Sequence, residues 1–287
     1  MKKVLVTGAN GQLAKCIEKA APGHPQLNLR FATREQLDIE DPSEIQSYFD
    51  LNEVDVCINT AAYTHVDKAE SEKEKAFAVN AKGVRNLARI CAAKDVLLIH
   101  ISTDYVFDGT KRSPYLESDK TNPVNVYGAS KLAGEEAIRE LCERYYIVRT
   151  SWLYSEFGHN FFKTILKHAD AGNPLTITTE QLGSPTNAND LAAAILTVTE
   201  TDKADYGVYH FSNEGEATWF DFAEAILKES GQIKTANLAK TDHYRTFARR
   251  PVYSILNCTK FYESFKVTPV NWKDSLRTLF VENNNQK

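Results

Sequence analysis

No apolar run in this 287-residue chain exceeds about 10 residues, and a membrane-spanning helix needs roughly 20. Neither sign of charge dominates. The 34 Lys and Arg residues face 38 Asp and Glu, a net of −4. There is no basic block or stripe, which excludes a duplex nucleic-acid face. Cysteine is sparse and scattered: Cys16, Cys57, Cys91, Cys142 and Cys258 form no C-x-x-C pair. Their odd number and wide spacing speak for buried free thiols rather than disulfides or metal ligands. The seven histidines show no H-E-x-x-H or related spacing, so no protein metal site is expected. The opening MKKVLVTGANG has two lysines but no signal-peptide core, because glycine and polar residues interrupt it at once. The expectation is a cytoplasmic protein with neither a membrane nor a nucleic acid polymer as partner.

What is present is a regular alternation of short β-rich runs with amphipathic segments. VLVTG (4–8), LNLRFAT (27–33), VDVCINTAA (54–62), VLLIHIST (96–103) and YYIVRTS (145–151) read as strands. QLAKCIEKA (12–20), SEIQSYFD (43–50, behind a Ser cap), two segments near 70–79 and 82–93, and 127–143 read as helices. A helix at 189–200 and the strand VYHFS (208–212) are expected to return to the sheet. Near-continuous apolar strands joined by helices imply an α/β fold: a doubly wound parallel (Rossmann) sheet with a smaller α/β substrate-binding lobe. The expected division is a dinucleotide-binding domain over 1–150, with returns near 186–212, and a substrate-binding lobe from 151–185 and 213–287.

GANGQLA (8–14) follows the first strand and opens the first helix. Gly8 and Gly11 match the first two glycines of a G-x-x-G-x-x-G loop, and Ala14 takes the third place. Small residues there let the backbone approach a pyrophosphate, while the helix N-terminus offers N–H donors and a positive dipole end. A plain tight turn is the alternative, but the position between strand and helix is the one dinucleotide binding requires. The second strand ends in Ala32-Thr33-Arg34, without an acid for a ribose 2′-hydroxyl. Arg34 is a candidate partner for a 2′-phosphate, or else a solvated loop residue. This favours NADPH, with NADH as the alternative.

In NVYGASKLAGEEA (125–137), Tyr127 and Lys131 are one helical turn apart. A nearby ammonium favours the phenolate and lowers the phenol's pKa, making it a usable acid and base. Tyr-x-x-x-Lys alone is common. Here, however, the strand VLLIHIST ends at Thr103, and ligands gather at the carboxyl ends of parallel strands. Thr103 is expected to donate a hydrogen bond to a substrate carbonyl. Tyr127 would then protonate the developing alkoxide, and Lys131 would also hold the nicotinamide ribose.

VTGANGQLA, LDIED, NTAAYTHVDKAE, VNAKGVRNLA, ISTDYVFDG, NPVNVYGASKLAGE, RTSWLY, NFFKTIL, QLGSPT, GVYHFSN and RRPVYSIL follow one another along the chain. With these stretches the chain resembles the extended short-chain dehydrogenases/reductases, and within them the dTDP-4-dehydrorhamnose reductase family. The resemblance implies NADPH-dependent reduction of a dTDP-4-keto sugar at C4, giving dTDP-β-L-rhamnose. A C4-epimeric reductase making a 6-deoxy-L-talose nucleotide is the close alternative, and a non-catalytic NADP-binding regulatory subunit the distant one. A superfamily dehydratase would want Asp-Glu after Thr103, where this chain has Asp104-Tyr105.

By the same resemblance, Thr103, Tyr127 and Lys131 are the catalytic trio, and Asn80 matches an active-site Asn whose alternative is structural. Gly8, Asn10, Gly11, Gln12 and Leu13 contact the pyrophosphate, Asp38 and Ile39 the adenine side, and Ala61, Ala62 and Tyr63 the rest of the cofactor. Asp104, Tyr105 and Trp152 hold the deoxysugar, with plain core packing as the alternative for Trp152. Arg249 or Arg250 meets the diphosphate, or else makes a surface salt bridge. Some family members dimerise through Mg2+ held by acids. The matching position here is Cys16, beside Lys15, and only Asp190 remains of an acidic set. A monomer is therefore expected over a metal-bridged homodimer.

Overall fold

The computed structural model describes residues 1–201, 203–242 and 246–285. Five strands alternate with helices in the first half of the chain: β1 (Lys2–Thr7), β2 (Leu27–Ala32), β3 (Val56–Asn59), β4 (Leu97–Thr103) and β5 (Tyr145–Thr150). Short strands follow: β6 (Leu153–Tyr154), β7 (Leu175–Thr178), β8 (Leu182–Gly183) and β9 (Thr186–Asn187). The last three are β10 (Gly207–His210), β11 (Ala217–Thr218) and β12 (Leu238–Thr241). One six-stranded sheet has the order β10-β5-β4-β3-β1-β2, and every pair in it is parallel. The chain enters at β1, pairs outward to β2, then turns back to β3 on the other side of β1. Such a reversal opens a crevice at the carboxyl ends of the strands.

The strands read as unbroken apolar runs because both faces of the sheet are covered. Val4 and Val6 point into one core while Leu5 points into the other. Val56 and Ile58 alternate with Cys57, and Tyr146 and Val148 with Ile147, as a period of two requires. Helices α1 (Gln12–Ala20) and α8 (Ala188–Glu200) fill one face. Helices α2 (Pro42–Leu51), α5 (Val84–Ala93) and α6 (Val126–Leu141) fill the other. The expected returns of helix and strand after residue 186 are thus both in the sheet layer, α8 packing on α1 and β10 pairing with β5. All five cysteines are free and buried.

Two local expectations differ from the structure. Helix α2 is capped by Asp41, whose carboxylate accepts from the backbone N–H of Ser43 and Glu44; Pro42 follows in the first helical position, where its missing N–H costs nothing. The segment 66–93 is more divided than two helices. It runs as α3 (Val66–Ala69), α4 (Lys73–Phe77), a π-helical turn (Ala78–Gly83) and then α5. The turn widens where Asn80 is fully buried and hydrogen-bonded across to Tyr63 and Ser130. Nothing in apolar periodicity marks such a turn.

After β5 the chain builds a second core around Tyr154, Phe162, Phe222, Ile226, Trp272 and Leu276. Tyr154 comes from β6 and the others from α7 (Phe161–Asp170), α9 (Trp219–Glu229) and α11 (Trp272–Asn285), with α10 (Thr259–Phe265) packed instead on the sheet. Strands β7 and β12 pair in parallel, and β8 and β11 antiparallel. Among the described residues no helix is long and apolar enough to cross a membrane.

Candidate active site

The loop after β1 is shaped by close approach of backbones. Gly8 has φ +71°, and a Cβ there would lie 2.8 Å from Ala61 Cα; glycine alone meets both demands. The Gly11 amide donates to Gly8 O at 2.8 Å, closing the turn. Gly11 caps α1 with extended backbone and no side-chain bond, and the first turn carries no acid. The N-terminal amides of α1 are therefore left for an anion. Asn10 and Gly11 are exposed beside them, and Leu13 is buried beneath. The Gln12 side chain turns the other way. Its amide donates to Leu153 O (3.3 Å) and its carbonyl accepts from Asn160 (3.1 Å) and Ser155 (3.3 Å).

At the end of β2, Arg34 is exposed and pairs with Asp38 (3.1 Å) and Glu40 (2.7 Å). Its guanidinium is thus held at the rim of the crevice. Ile39 is buried and packs closely against Gly83. Ala61, Ala62 and Tyr63 follow β3. The backbone of Tyr63 is clamped by Asn80, which accepts from Tyr63 N (2.9 Å) and donates to Tyr63 O (3.0 Å). The same amide donates to Ser130 Oγ at 3.0 Å. With its polar atoms so engaged, Asn80 is a strut between this loop and α6.

Thr103, the last residue of β4, is buried. Its hydroxyl donates to Asp104 Oδ1 at 3.0 Å and accepts from Tyr105 N at 3.2 Å. It also lies close enough to the Tyr127 phenol to favour its ionised form. Helix α6 starts beside it, capped by Asn125 accepting from Gly128 N. Gly128 lies against the Tyr105 carbonyl and Gly134 against the Asn80 carbonyl, both closer than a side chain allows. These two glycines let the helix sit down on the segment after β4 and on the π-helical turn. The Tyr105 and Tyr127 rings meet edge to face, centroids 5.8 Å apart.

The structure corrects one expectation here. Lys131 does not depress the Tyr127 phenol. Its ammonium position is turned under the strand, donating to Ile101 O at 2.6 Å and lying 3.3 Å from His100 Nε2. Burial, with a smaller contribution from the Asp104 charge, instead pushes the phenol up to about 12, and the Thr103 hydroxyl opposes this. The resting phenol is protonated. Burial likewise lowers Lys131 to about 8, while Glu135 favours the charged form. Burial raises the Asp104 carboxyl to about 7, and its Oδ2 is buried with no hydrogen-bond partner.

Sequence reading missed the layer behind these residues. Glu135, one turn beyond Lys131, is fully buried and accepts from Ser102 Oγ (2.6 Å), Arg149 Nε (2.9 Å) and Arg149 Nη2 (2.7 Å). Arg139 reaches the same carboxylate at 3.1 Å. A charged residue inside each of two otherwise apolar-facing elements was the available signal.

Trp152 has φ +47° and lies face to face with Trp219, centroids 3.6 Å apart and planes 6° apart. A non-glycine residue in this left-handed region is strained. Arg250 pairs with Asp67 on α3 at 2.8 Å, and its buried Nε has no partner; Arg249 accepts from Asn125 through its carbonyl. Cys16 is buried in the sheet core. Nearby, Lys19 bridges Glu156 (2.8 Å) and Glu282 (3.0 Å), and Asp190 accepts from Asn213 and Ser275. Among the described residues no group of three or more His, Cys, Asp or Glu is arranged to hold a metal ion.

Comparison with known proteins places this geometry. The family model described as RmlD substrate binding domain matches residues 1–284. The dTDP-4-dehydrorhamnose reductase of Sinorhizobium fredii is 40% identical over 287 residues, covering 96% of each chain. The spore coat polysaccharide biosynthesis protein SpsK of Bacillus subtilis is 38% identical over 285 residues, covering 98% of each. Among solved structures, the dTDP-4-dehydrorhamnose reductase of Bacillus anthracis in complex with NADP superposes with a TM-score of 0.92 at 36% identity. That match covers 98% of this chain and 100% of the other.

Proposed function

The chain belongs to the RmlD substrate binding domain family, and from that premise we propose that it reduces the C4 keto group of dTDP-4-dehydro-β-L-rhamnose with NADPH, giving dTDP-β-L-rhamnose. What supports this is that Thr103 ends β4, Tyr127 lies in the first turn of α6 with Lys131 one turn further on, and the glycine loop leaves the start of α1 without a side-chain cap. Named relatives over the full length support the substrate class.

The loop fits a dinucleotide. Gly8 lets the loop fold against Ala61, Gly11 leaves the α1 amides without a side-chain cap, and Asn10, Gly11, Gln12 and Leu13 would supply backbone to a pyrophosphate there. Arg34 is within the rim to meet a 2′-phosphate once it leaves Asp38 and Glu40. Asp38, Ile39, Ala61, Ala62 and Tyr63 would line the remainder, and Lys131 would hold the ribose. NADPH supplies a hydride when bound. Thr103 would turn its hydroxyl proton from Asp104 to the keto oxygen and so orient it. Tyr127, protonated at rest, gives its proton to that oxygen as negative charge develops there. Asp104, Tyr105 and Trp152 would hold the sugar ring, an indole face being suited to it. Arg250, with one unsatisfied buried N–H, would take the diphosphate.

Residues 1–150, with the returns near 186–212, would carry the cofactor, and 151–185 with 213–287 the sugar nucleotide. The protein would act as a cytoplasmic monomer, since Cys16 supplies no acid for a shared metal. The test is loss of reduced-nicotinamide absorbance with dTDP-4-dehydro-L-rhamnose formed in situ, with NMR of the product. An L-rhamno product is expected. A talo product would keep the trio and refute the stereochemistry; bound NADPH without turnover would refute the reductase reading.

A further inference from the structure

Asn125 lies buried directly before α6, and its one side chain serves two segments of the chain. Its Oδ1 accepts from the backbone N–H of Gly128 at 2.7 Å, capping the helix that carries Tyr127 in its first turn. Its Nδ2 donates to the carbonyl of Arg249 at 2.8 Å, across 124 positions of sequence. The two amide atoms are fixed by their partners. A backbone N–H only donates and a carbonyl only accepts, so the oxygen faces Gly128 and the nitrogen faces Arg249. A cap alone does not ask for an amide, since Ser and Asp serve about as well as Asn. Only the amide caps with one atom and donates with the other. Asn125 thus fastens the segment 248–250, where Arg250 follows Arg249, to the start of α6.

The short helix α3 closes a triangle with these two. Glu70, just after α3, accepts from Val126 N at 2.8 Å. Asp67, within α3, accepts from Ala248 N at 3.0 Å and from Arg250 Nη2 at 2.8 Å. Each corner is therefore bonded to the other two, and the guanidinium is held near the ring pair beside Thr103. The Tyr105 phenol is raised by burial and by Asp104, and the Arg250 charge opposes this. The Tyr105 ring in turn meets Tyr127 edge to face.

We propose that Asn125 is a positioning residue for the sugar nucleotide. By tying Arg250 to the cap of the Tyr127 helix, it sets the group that takes the nucleotide diphosphate at a fixed place relative to the group that gives the proton. A ligand anchored by its diphosphate presents its carbonyl to Tyr127 only when the two ends of the site are in register, and a misplacement of about 1 Å costs on the order of 10²-fold in rate. The proposal rests on the reductase reading for the identity of this ligand.

The test uses Asn125→Asp and Asn125→Ser in the full chain. Both keep an acceptor for Gly128 N and lose the amide donor to Arg249 O. Binding of thymidine diphosphate and of NADPH is measured by calorimetry, with thermal unfolding and steady-state reduction alongside. Melting temperature and NADPH affinity should stay close to the parent's. Affinity for thymidine diphosphate should weaken about tenfold, or ~1.4 kcal/mol, and KM for the sugar nucleotide should rise with it. Arg250→Met should cost about tenfold or more in the parent and much less in Asn125→Asp, because the guanidinium there is no longer aimed. Unchanged affinity for thymidine diphosphate in both variants overturns the proposal. So does an equal loss of both ligands, which a merely structural role would give, and so do additive losses in the cycle with Arg250. A parent that does not bind thymidine diphosphate strikes the nucleotide-sugar reading and this proposal with it; a parent that binds it, beside variants that bind it equally, strikes this proposal alone.

Discussion

Replacing Glu135 by Gln removes one charge from a site that water does not reach. The carboxylate has no exposed surface, and Arg149, its main partner, is only 1% exposed. Two guanidinium N–H groups of Arg149, one of Arg139 and the Ser102 hydroxyl converge on its two oxygens. A Gln side chain keeps one oxygen but turns an NH2 toward donors, so the buried guanidinium loses its counter-charge and at least one acceptor. Breaking a buried pair in this way costs about 3–5 kcal/mol. With an unfolding entropy of ~2.1 cal/mol/K per residue, a chain of this length should melt roughly 5–8 °C lower. Replacing both partners by apolar residues of similar volume, Glu135→Leu with Arg149→Met, should recover most of that loss, because no charge is then stranded. The assay is thermal unfolding followed by circular dichroism, with urea titration as a check. A single-variant loss below about 1 kcal/mol, or a double variant worse than either single one, would refute the view that the pair is a sealed ionic contact.

Other expectations follow from the site. Tyr127→Phe should abolish turnover and leave NADPH binding, read by fluorescence titration, nearly unchanged; a fully active variant would contradict the proton-donor role. Arg34→Ala should weaken NADPH about tenfold or more and NADH little, a loss of ~1.4 kcal/mol or more for a charged phosphate contact; equal losses would exclude the 2′-phosphate contact. Gly183→Ala places a methyl 2.5 Å from the Trp152 ring, so it should raise KM for the sugar nucleotide without changing NADPH affinity, and a KM equal to the parent's would show the indole free to shift. The Asp104 carboxyl is raised from 3.8 to about 7 in the folded chain. Its contribution to stability is therefore full below about pH 4 and fades as pH climbs through about 7. Melting temperature should fall faster over that window than in Asp104→Asn, and parallel curves would remove Asp104 as the cause.

How much of this was legible in the sequence follows from how local each feature is. The strands were legible because burial on both faces writes a continuous apolar run, as in LLIHIST. The glycine loop was legible because its demands fall on adjacent residues, Gly8 to Ala14. The direction of the Lys131 side chain was not, since helical spacing brings it near Tyr127 while the Ile101 carbonyl, 30 positions away, takes its proton donor. Glu135 and Arg149 are likewise joined only by the fold. The strained backbone of Trp152 depends on Trp219, which arrives from a distant helix, and no spacing rule links the two. The π turn at Ala78–Gly83 was hidden because a single widened turn leaves the apolar pattern on both sides intact.

The place of β10 in the sheet bears on how such a chain can be divided. It pairs with β5 only after the polypeptide has left to build β6 to β9 and α7, and α8 returns on the way to cover α1. A fragment cut after residue 150 would expose the open edge of β5 and the apolar flank of α1, and would tend to associate through both. The part built after β5 is thus not a cassette that recombination can lift out and replace. New substrate preferences have to be written in place, residue by residue, in loops anchored at both ends to the sheet.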